Sequence, residues 1–511
     1  MRKTRKNKSF RLTRGAGVLL PISAIPSNYG IGTFGKESFE FVDFLGRIGC
    51  RYWQVLPIGP TSYGDSPYQS FSAFAGNPYF IDLDLLIEEG LLGHEEVDAY
   101  DWQNSEDEID YGLVYNSRVK ILKYAFKRSK HKEKLDYQIF CENNAYWLDD
   151  YSLYMSVKTH FDSKEWLLWD DDIKYRKPAA IKKYKDILKE EIEFWNFVQF
   201  KFSEQWNRLK AYTNSKGISI IGDIPLYVAM DSSDVWAHHE LFELDERMNP
   251  IHVAGVPPDI FTEFGQRWGN PLYRWDVMEE DGFTWWKERM RSSAKLYDVI
   301  RIDHFIGIVN YYSIPADCPT AVEGEWKKGP GKKLTDLIKA SIGDAKIIAE
   351  DLGVLTPNVV QLIEETGFPG MKVLEFGLDG NIDNPSLLHN YRDSNMVAYI
   401  GTHDNETLMG YLGNKNRKEL RFTKKYFNTK LSKNLPDAII RALYTSNADV
   451  IIIQMQDFLK LDNSARINHP STIGNNWRWR LLKSQYKQID EKTLYEWSYL
   501  YGRIVNGGSD G

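Results

Sequence analysis

Residues 298–305 read DVIRIDHF. Valine and isoleucine at 299, 300 and 302 read as a buried strand, yet Arg301 sits inside it and Asp303 and His304 end it. Ionised side chains are expensive to bury unless paired. Asp303 is therefore either a satisfied structural ion, or it is delivered by the strand to a place where charge is used.

Seven further apolar runs share this form, and many of them finish in polar residues: AGVLLPISAI (16–25), CRYWQVLPIG (50–59), GISIIGDIPLYVA (217–229), AKIIAEDLG (345–353), MKVLEFGLDG (371–380), MVAYIGTHDN (396–405) and VIIIQMQDF (450–458). Continuous rather than alternating apolar strands point to a parallel sheet covered on both faces. Between several of them lie helix-like segments at 36–48, 332–342 and 356–367; in the last, Thr356 is read as N-cap, Pro357 as first helical residue and Gly367 as terminator. Strands alternating with helices predict an α/β fold, a (β/α)8 TIM barrel, in which chemistry sits at the strand C-terminal ends. Uneven spacing predicts inserted, largely helical subdomains after strands 2 and 3. The expected division is strands 1 and 2 in 1–59, a helical insertion at 60–216 with an active-site loop at 60–83 and a helix near 186–204, strand 3 at 217–229, a loop-rich insertion at 230–297, and strands 4–8 with C-terminal helices in 298–511.

Composition excludes several classes. A formal charge of −7 argues against a general polyanion binder, and the basic start MRKTRKNKSFRLTR is short enough to be a solvated tail, so no nucleic-acid partner is expected. The following GVLLPISAI is too short for a signal peptide, is broken by Pro21 and lacks a small-residue cleavage site. No stretch approaches the roughly 20 apolar residues of a membrane span. Cys50, Cys141 and Cys318 are scattered, which suits a reducing compartment and fits neither a disulfide framework nor a zinc site. A cytoplasmic protein is expected. Aromatic residues reach 14%, with 16 Trp and 30 Tyr, many beside Gly, Pro, Asn and Asp. Such rings suit either sugar stacking or surface packing.

Three strand ends each offer a carboxylate: Asp303, Glu350 in IIAEDLG and Asp404 in GTHDN. Retaining glycoside chemistry needs two, one attacking the anomeric carbon and one protonating the leaving oxygen. The attacking group must stay ionised, and Arg301, two residues earlier on the same strand face, would favour that form. The acid needs a raised pKa, which a less polar setting near Ile348 and Ala349 would supply. Asp404 could bind sugar hydroxyls, and His304 and His403, each beside a carboxylate, are candidate donors to sugar hydroxyls. A lone aspartate after a strand is ordinarily a turn or cap residue; three in this order and context carry the argument.

At this set the chain resembles the amylomaltase or 4-α-glucanotransferase (disproportionating enzyme) family of the α-amylase clan. The resemblance rests on YGDSPYQSFSAFAGNPYFIDL (63–83), GDIPLYVAMDSSDVWAH (222–238), AGVPPDIF (254–261), GQRWGNPLY (265–273), RIDHF, IIAEDLG, GTHDNET and NWRWR (476–480). It implies a barrel with inserted subdomains and retaining transfer of α-1,4-glucan segments through a covalent glucosyl-enzyme. It implies Asp303 as nucleophile, Glu350 as acid/base and Asp404 as transition-state stabiliser, with Arg301 holding the nucleophile's charge. It also implies Asp223 and His403 on the donor sugar, Tyr68 as a stacking platform there, Tyr63 at an outer glucan site, and Asp65 and Ser66 as further sugar contacts. The acceptor lid would be 254–273, with Gln266 and Trp268 near the acceptor. Flexible glycines and prolines around an aromatic lid would keep water out while admitting a second sugar. The alternative is that Trp268 merely packs on the barrel. Two positions depart from the family pattern, Ile306 in place of a cation and Phe264 before Gly265 in place of a small polar residue; they bear on chain length and acceptor choice. The implied partners are malto-oligosaccharides and α-1,4-glucans such as starch or glycogen, with no organic cofactor, no metal ligand set and no calcium loop expected.

Rival readings are a hydrolase on the same scaffold, which shares the first step and differs at the acceptor loop, and a glucan-binding protein without catalysis. FIDLDLL (80–86) has the DxD spacing of a phosphotransferase strand end without its usual Thr or Val, and HHELFELDE (238–246) has metal-like residue types without ligand spacing.

Overall fold

The computed structural model describes residues 10–62, 64–258, 262–353 and 355–504. In chain order the strands among these residues are β1 (Gly15–Leu19), β2 (Tyr52–Gln54), β3 (Ser219–Ile224), β4 (His252–Val256), β5 (Gln266–Pro271), β6 (Val299–Ile302), β7 (Asn310–Pro315), β8 (Glu325–Lys328), β9 (Lys346–Ala349), β10 (Gly370–Val373), β11 (Met396–Tyr399) and β12 (Val450–Gln454). Eight of them pair in parallel in the order β10-β11-β12-β1-β2-β3-β6-β9. Between β9 and β10 the Ala349 N–H donates to Pro369 O at 2.9 Å, so the sheet nearly closes into a (β/α)8 barrel.

Each expected apolar run overlaps one of these strands, β1 and β10 starting one residue before theirs, and each strand is shorter than its run. After β1 the chain passes Pro21 into a 3-10 turn at Ile22–Ala24, and β10 passes directly into another at Leu374–Gly377. Side chains alternate between two packed layers, as the pleat requires. Leu19, Tyr52, Ile221, Val299, Ile348, Met371, Val397, Tyr399 and Ile452 form one cluster, which draws a residue from every barrel strand and fills its interior. Their neighbours Val18, Trp53, Ile220, Ile300, Ile347, Ala398 and Ile451 belong to the outer layer beneath the helices.

The helix Lys36–Arg47 buries Phe41, Val42, Phe44 and Leu45 against that layer. The helix Pro357–Thr366 ends as expected, on Gly367 at φ 71°, whose N–H reaches the carbonyls of Ile363 and Glu364. Thr356 occupies the N-cap position but makes no capping hydrogen bond; its hydroxyl accepts instead from Asn310 Nδ2 at 3.5 Å. Between β2 and β3 the chain is helical, dominated by Leu135–His160 and Lys189–Ser215; the helix expected near 186–204 is interrupted at Leu188, between Pro178–Ile187 and Lys189–Ser215.

Between β3 and β6 lie β4, β5 and the helices Trp275–Glu280 and Thr284–Leu296. A second, antiparallel sheet runs β5-β4-β7-β8, so strands on either side of β6 in sequence join above it. Gln69 Nε2 donates to Asn270 Oδ1 at 3.2 Å, and Asn270 Nδ2 donates to Val228 O at 2.8 Å. These bonds tie β5 to the loops after β2 and β3. No helix among the described residues is long and apolar enough to cross a membrane.

Candidate active site

Alternation along β6 explains the opening puzzle. Val299 points into the barrel, so Arg301 and Asp303 follow on the same side. By the same step of two, Ile221 leads to Asp223 and Ile348 leads to Glu350. The buried charges therefore share one end of one cavity, the C-terminal end of parallel strands.

Arg301 organises them. Its Nη1 lies 2.8 and 2.6 Å from the two carboxylate oxygens of Asp223 and 2.9 Å from Asp303 Oδ1. Its Nε–H donates to the thioether of Met371 at 3.4 Å. Burial alone would lower the guanidinium pKa, but Asp223 and Asp303 more than offset it and hold it well above its ordinary value. Burial raises Asp223 against the pull of Arg301. Asp223 is fully enclosed, whereas Asp303 keeps 29% of its side chain exposed. Of these carboxylates, Asp303 faces open space.

Glu350 sits in the opposite electrostatic setting. Its Oε2 accepts from the His304 N–H at 2.7 Å and its Oε1 from the Leu352 N–H at 2.7 Å. Burial pushes its pKa up to about 8, against Arg301 and both N–H donors, with repulsion from Asp303 adding to the rise. Two carboxyl groups at the ends of neighbouring strands thus sit in different settings: Asp303 is paired with a guanidinium and partly open, and Glu350 is buried with its pKa raised.

Tyr68 and His403 form the next layer. The Tyr68 hydroxyl donates to Asp223 Oδ2 at 2.9 Å and lies 2.9 Å from His403 Nε2. The two rings stack at 5.4 Å and 14°, so one face of Tyr68 is taken by the imidazole, and Trp477 tilts against Tyr68 at 5.9 Å. His403 Nε2 is also 3.3 Å from Asp404 Oδ2. Asp404 is held from behind by Asn468 Nδ2, 2.6 Å from Oδ1, while Arg466 Nη2 donates to its carbonyl at 2.7 Å.

His304 adopts φ 52°, ψ 43°, the left-handed region. Its ring meets Trp268 edge-on, at 4.8 Å and 86°, and the indole N–H of Trp268 donates to Gln266 Oε1 at 3.1 Å. Gln266 and Trp268 therefore stand over the site on β5. Ser66 Oγ accepts from the Tyr68 N–H at 3.3 Å. Asp65, at φ 60°, lines a small pocket with Thr61, Pro67, Tyr111 and Trp477, and burial lifts its pKa to about 6 against Arg478. Tyr63 and the crest of the expected lid, residues 259–261, lie outside the described residues. Ile306 is buried in the 3-10 turn after His304, and Phe264 is 58% exposed.

Sequence reasoning did not single out Asn468, Arg466 or Met371. None is a carboxylate at a strand end, and Asn468 lies 64 positions from the aspartate it holds. Trp477 was visible within NWRWR but had no assigned role. The two decoys have ordinary explanations: Asp82 caps the helix Leu83–Glu88 by accepting from the Leu85 N–H at 2.9 Å, and Asp245 accepts the N–H groups of Arg247 and Asn249 in a turn. Among the described residues no group of three or more His, Cys, Asp or Glu could hold a metal ion.

A parallel barrel that sets a guanidinium-paired carboxyl beside a buried carboxyl of raised pKa at its C-terminal face has the arrangement of an enzyme built for glycosidic bonds. The family model described as 4-alpha-glucanotransferase matches residues 20–485, and the chain belongs to that family. A 4-alpha-glucanotransferase of Clostridium butyricum is 48% identical over 486 residues, covering 94% of this chain and 99% of its own. One of Thermus thermophilus is 45% identical over 486 residues, covering 93% and 96%. Among solved structures, the amylomaltase from Streptococcus agalactiae in complex with acarbose is 39% identical with a TM-score of 0.93, covering 96% of this chain and all of its own. The amylomaltase of Corynebacterium glutamicum, 17% identical, shares the fold at a TM-score of 0.79 over 96% of this chain and 75% of its own.

Proposed function

We propose that this 4-α-glucanotransferase moves α-1,4-glucan segments by a retaining double displacement, with Asp303 as nucleophile, Glu350 as acid/base and Asp404 as stabiliser. One observation carries the reading: Asp303 pairs with Arg301 and remains partly open, while Glu350 on the next strand is buried and neutral below about pH 8. In the first step an Asp303 oxygen forms a bond to the anomeric carbon as the glycosidic bond breaks. The Glu350 proton passes to the departing oxygen, which leaves as the 4-hydroxyl of the shortened glucan. In the second step the Glu350 carboxylate takes the proton of an acceptor hydroxyl, whose oxygen attacks the anomeric carbon and releases Asp303. Asp404, anchored by Asn468, would bind sugar hydroxyls as the ring distorts. Asp223 and His403 would act on the donor sugar, as would Tyr68; through their bonds to Tyr68 and Arg301 they also fix one another. Tyr63, Asp65 and Ser66 would lie along the outer donor path, and Gln266 and Trp268 at the acceptor.

We read 60–216 and 230–297 as insertions into the barrel, with 254–273 as the acceptor lid. The substrates would be malto-oligosaccharides of three or more units and soluble starch or glycogen, with glucose or short dextrins as acceptors, in the cytoplasm. Incubation with maltotriose alone, with products resolved by size and reducing ends counted, tests the reaction. A ladder of longer and shorter oligosaccharides plus glucose at constant reducing ends is expected. Rising reducing ends without longer products would make the protein a hydrolase and overturn the acceptor reading.

A further inference from the structure

His304 carries more than the residue after a nucleophile needs to. In the left-handed region a glycine would sit without steric penalty, while a residue with a Cβ is strained. The conformation itself has a clear use: it turns consecutive main-chain N–H groups onto Glu350. The His304 N–H reaches Glu350 Oε2 at 2.7 Å, and the Phe305 N–H reaches Glu350 O at 3.1 Å. Asp303 is anchored by the preceding N–H, to Ile224 O at 2.9 Å. One short peptide thus sets both carboxyl groups. None of this requires an imidazole.

The ring has a different partner. It is buried, with 8% of the residue exposed, and Trp268 meets it edge-on at 4.8 Å, with Tyr227 tilted at 6.4 Å. The space for it comes from Gly307: a Cβ there would lie 2.9 Å from His304 Cδ2 and 3.3 Å from Nε2. Nε2 is buried without a partner from the protein, and the contacts the ring does make are through its faces and edge. Burial holds its pKa down, to about 4, against Asp303, so it adds no cation beside Glu350 at neutral pH.

We propose that His304 is a positioning residue that couples the lid strand to the acid/base: its main-chain N–H holds Glu350, and its ring is the seat on which Trp268 closes. The route runs Gln266 to Trp268 to His304 to Glu350. When the indole is seated, water is kept from Glu350 and from the glycosyl-enzyme; when it lifts, both are exposed. The charged groups facing Glu350 are Arg301 and Asp303 from β6. On the lid side the uncharged Gln266 and Trp268 stand behind the His304 ring, and Arg267 between them donates to Ala316 O. Loss of the seat therefore changes the hydration of Glu350 without removing a charge from its surroundings. This inference rests on the reading of Glu350 as acid/base.

The test is H304G, which keeps the left-handed backbone and the N–H and deletes only the ring. H304N, which tolerates the same backbone and carries no aromatic ring, serves if H304G does not fold. Both are assayed with maltotriose for the ratio of transfer to hydrolysis and for the basic limb of the kcat/KM pH profile. The ratio is expected to fall by about tenfold or more, as misplacement of a lid by about an ångström can cost more than that. The basic limb is expected to move down by about one pH unit, because relieving burial lowers a carboxyl pKa. W268A, emptying the seat from the other side, is expected to move the limb in the same direction. A limb that stays in place in H304G or H304N overturns the proposal, whatever happens to the rate, since a merely structural defect would lower activity at all pH values alike. If the wild-type enzyme yields neither a ladder nor new reducing ends, or if E350Q turns over maltotriose as fast as wild type, the acid/base reading fails instead, and the two failures are told apart.

Discussion

Replacing Glu350 by glutamine should make the protein more stable at pH 8 and less stable at pH 5, while abolishing transfer. In the folded state burial moves this carboxyl from 4.5 to about 8. Between those values the folded protein binds a proton that the unfolded chain has released. Stability contributed by this group is therefore complete below about pH 4.5, falls as pH rises, and is exhausted above about pH 8. At about 1.4 kcal/mol per pH unit, the loss between pH 5 and pH 8 comes to about 3–4 kcal/mol. Glutamine has no proton to lose and escapes this decline. It also brings a cost, because both carboxyl oxygens accept backbone N–H groups, from His304 and Leu352. One amide end is an NH2 group that accepts nothing, so one buried N–H loses its partner, at about 1–3 kcal/mol.

Opposing effects of these sizes predict a crossover between pH 5 and pH 8. The assay is thermal unfolding of both proteins across that range. With an unfolding entropy of about 2 cal/mol/K per residue, a chain of 511 residues changes Tm by about 1 °C per kcal/mol. The Tm difference between variant and wild type should thus swing by about 3–4 °C in favour of E350Q as pH rises from 5 to 8. A difference independent of pH would mean that Glu350 is not held neutral in the folded protein, and the acid assignment would fall with it.

Transfer by the wild-type enzyme should decline above about pH 8 as Glu350 loses its proton, read from the basic limb of kcat/KM. Asn468→Ala should lower kcat for maltotriose by about tenfold to a hundredfold with little change in KM, because Asp404 keeps its place but loses the amide at 2.6 Å that orients it; an unchanged kcat would remove Asp404 from the transition state. Tyr68→Phe deletes the hydroxyl shared by Asp223 and His403 and should cost about 1.5–3 kcal/mol in kcat/KM, with D223N as the control that shows whether the two losses add. Met371→Leu leaves the Arg301 Nε–H without its sulfur acceptor and should lower Tm by about 1–3 °C; an unchanged Tm would mean the thioether contact contributes nothing.

The barrel was legible because its strands are buried on both faces, which leaves continuous apolar runs, and because chemistry requires charge at their ends. That same burial hid the exact limits. The prolines at 21, 57 and 225 carry apolar chain beyond the last paired residue, so the runs overstate the strands. The antiparallel sheet was not legible. Its edge strand β8 reads EWKK, with three of four residues exposed, and no hydrophobic periodicity marks it. A strand held by main-chain bonds at a sheet edge needs no apolar side chain to announce itself.

The site divides along the same line. Asp303, Glu350 and Asp404 could be found from sequence because a carboxylate at a strand end is conspicuous. Their supports could not, because support is a matter of contact rather than residue type. Asn468 and the main chain at 304 reach carboxyl groups from a distant loop and the adjoining turn, and Met371 reaches Arg301 from the barrel strand two places along. Arg301 belongs to both kinds. Its place two residues before Asp303 was readable, yet its closest bonds go to Asp223. That pairing matters for the chemistry. In the proposed mechanism, a guanidinium committed only to Asp303 would bind its negative charge most tightly in the ground state, just when that charge must move to the anomeric carbon. Sharing it with a second, enclosed carboxylate would leave Arg301 neutralised and fixed when, in the proposed mechanism, Asp303 forms its ester. The buried cation then has a partner at every stage of the reaction, and Asp303 can gain and lose its charge without stranding it.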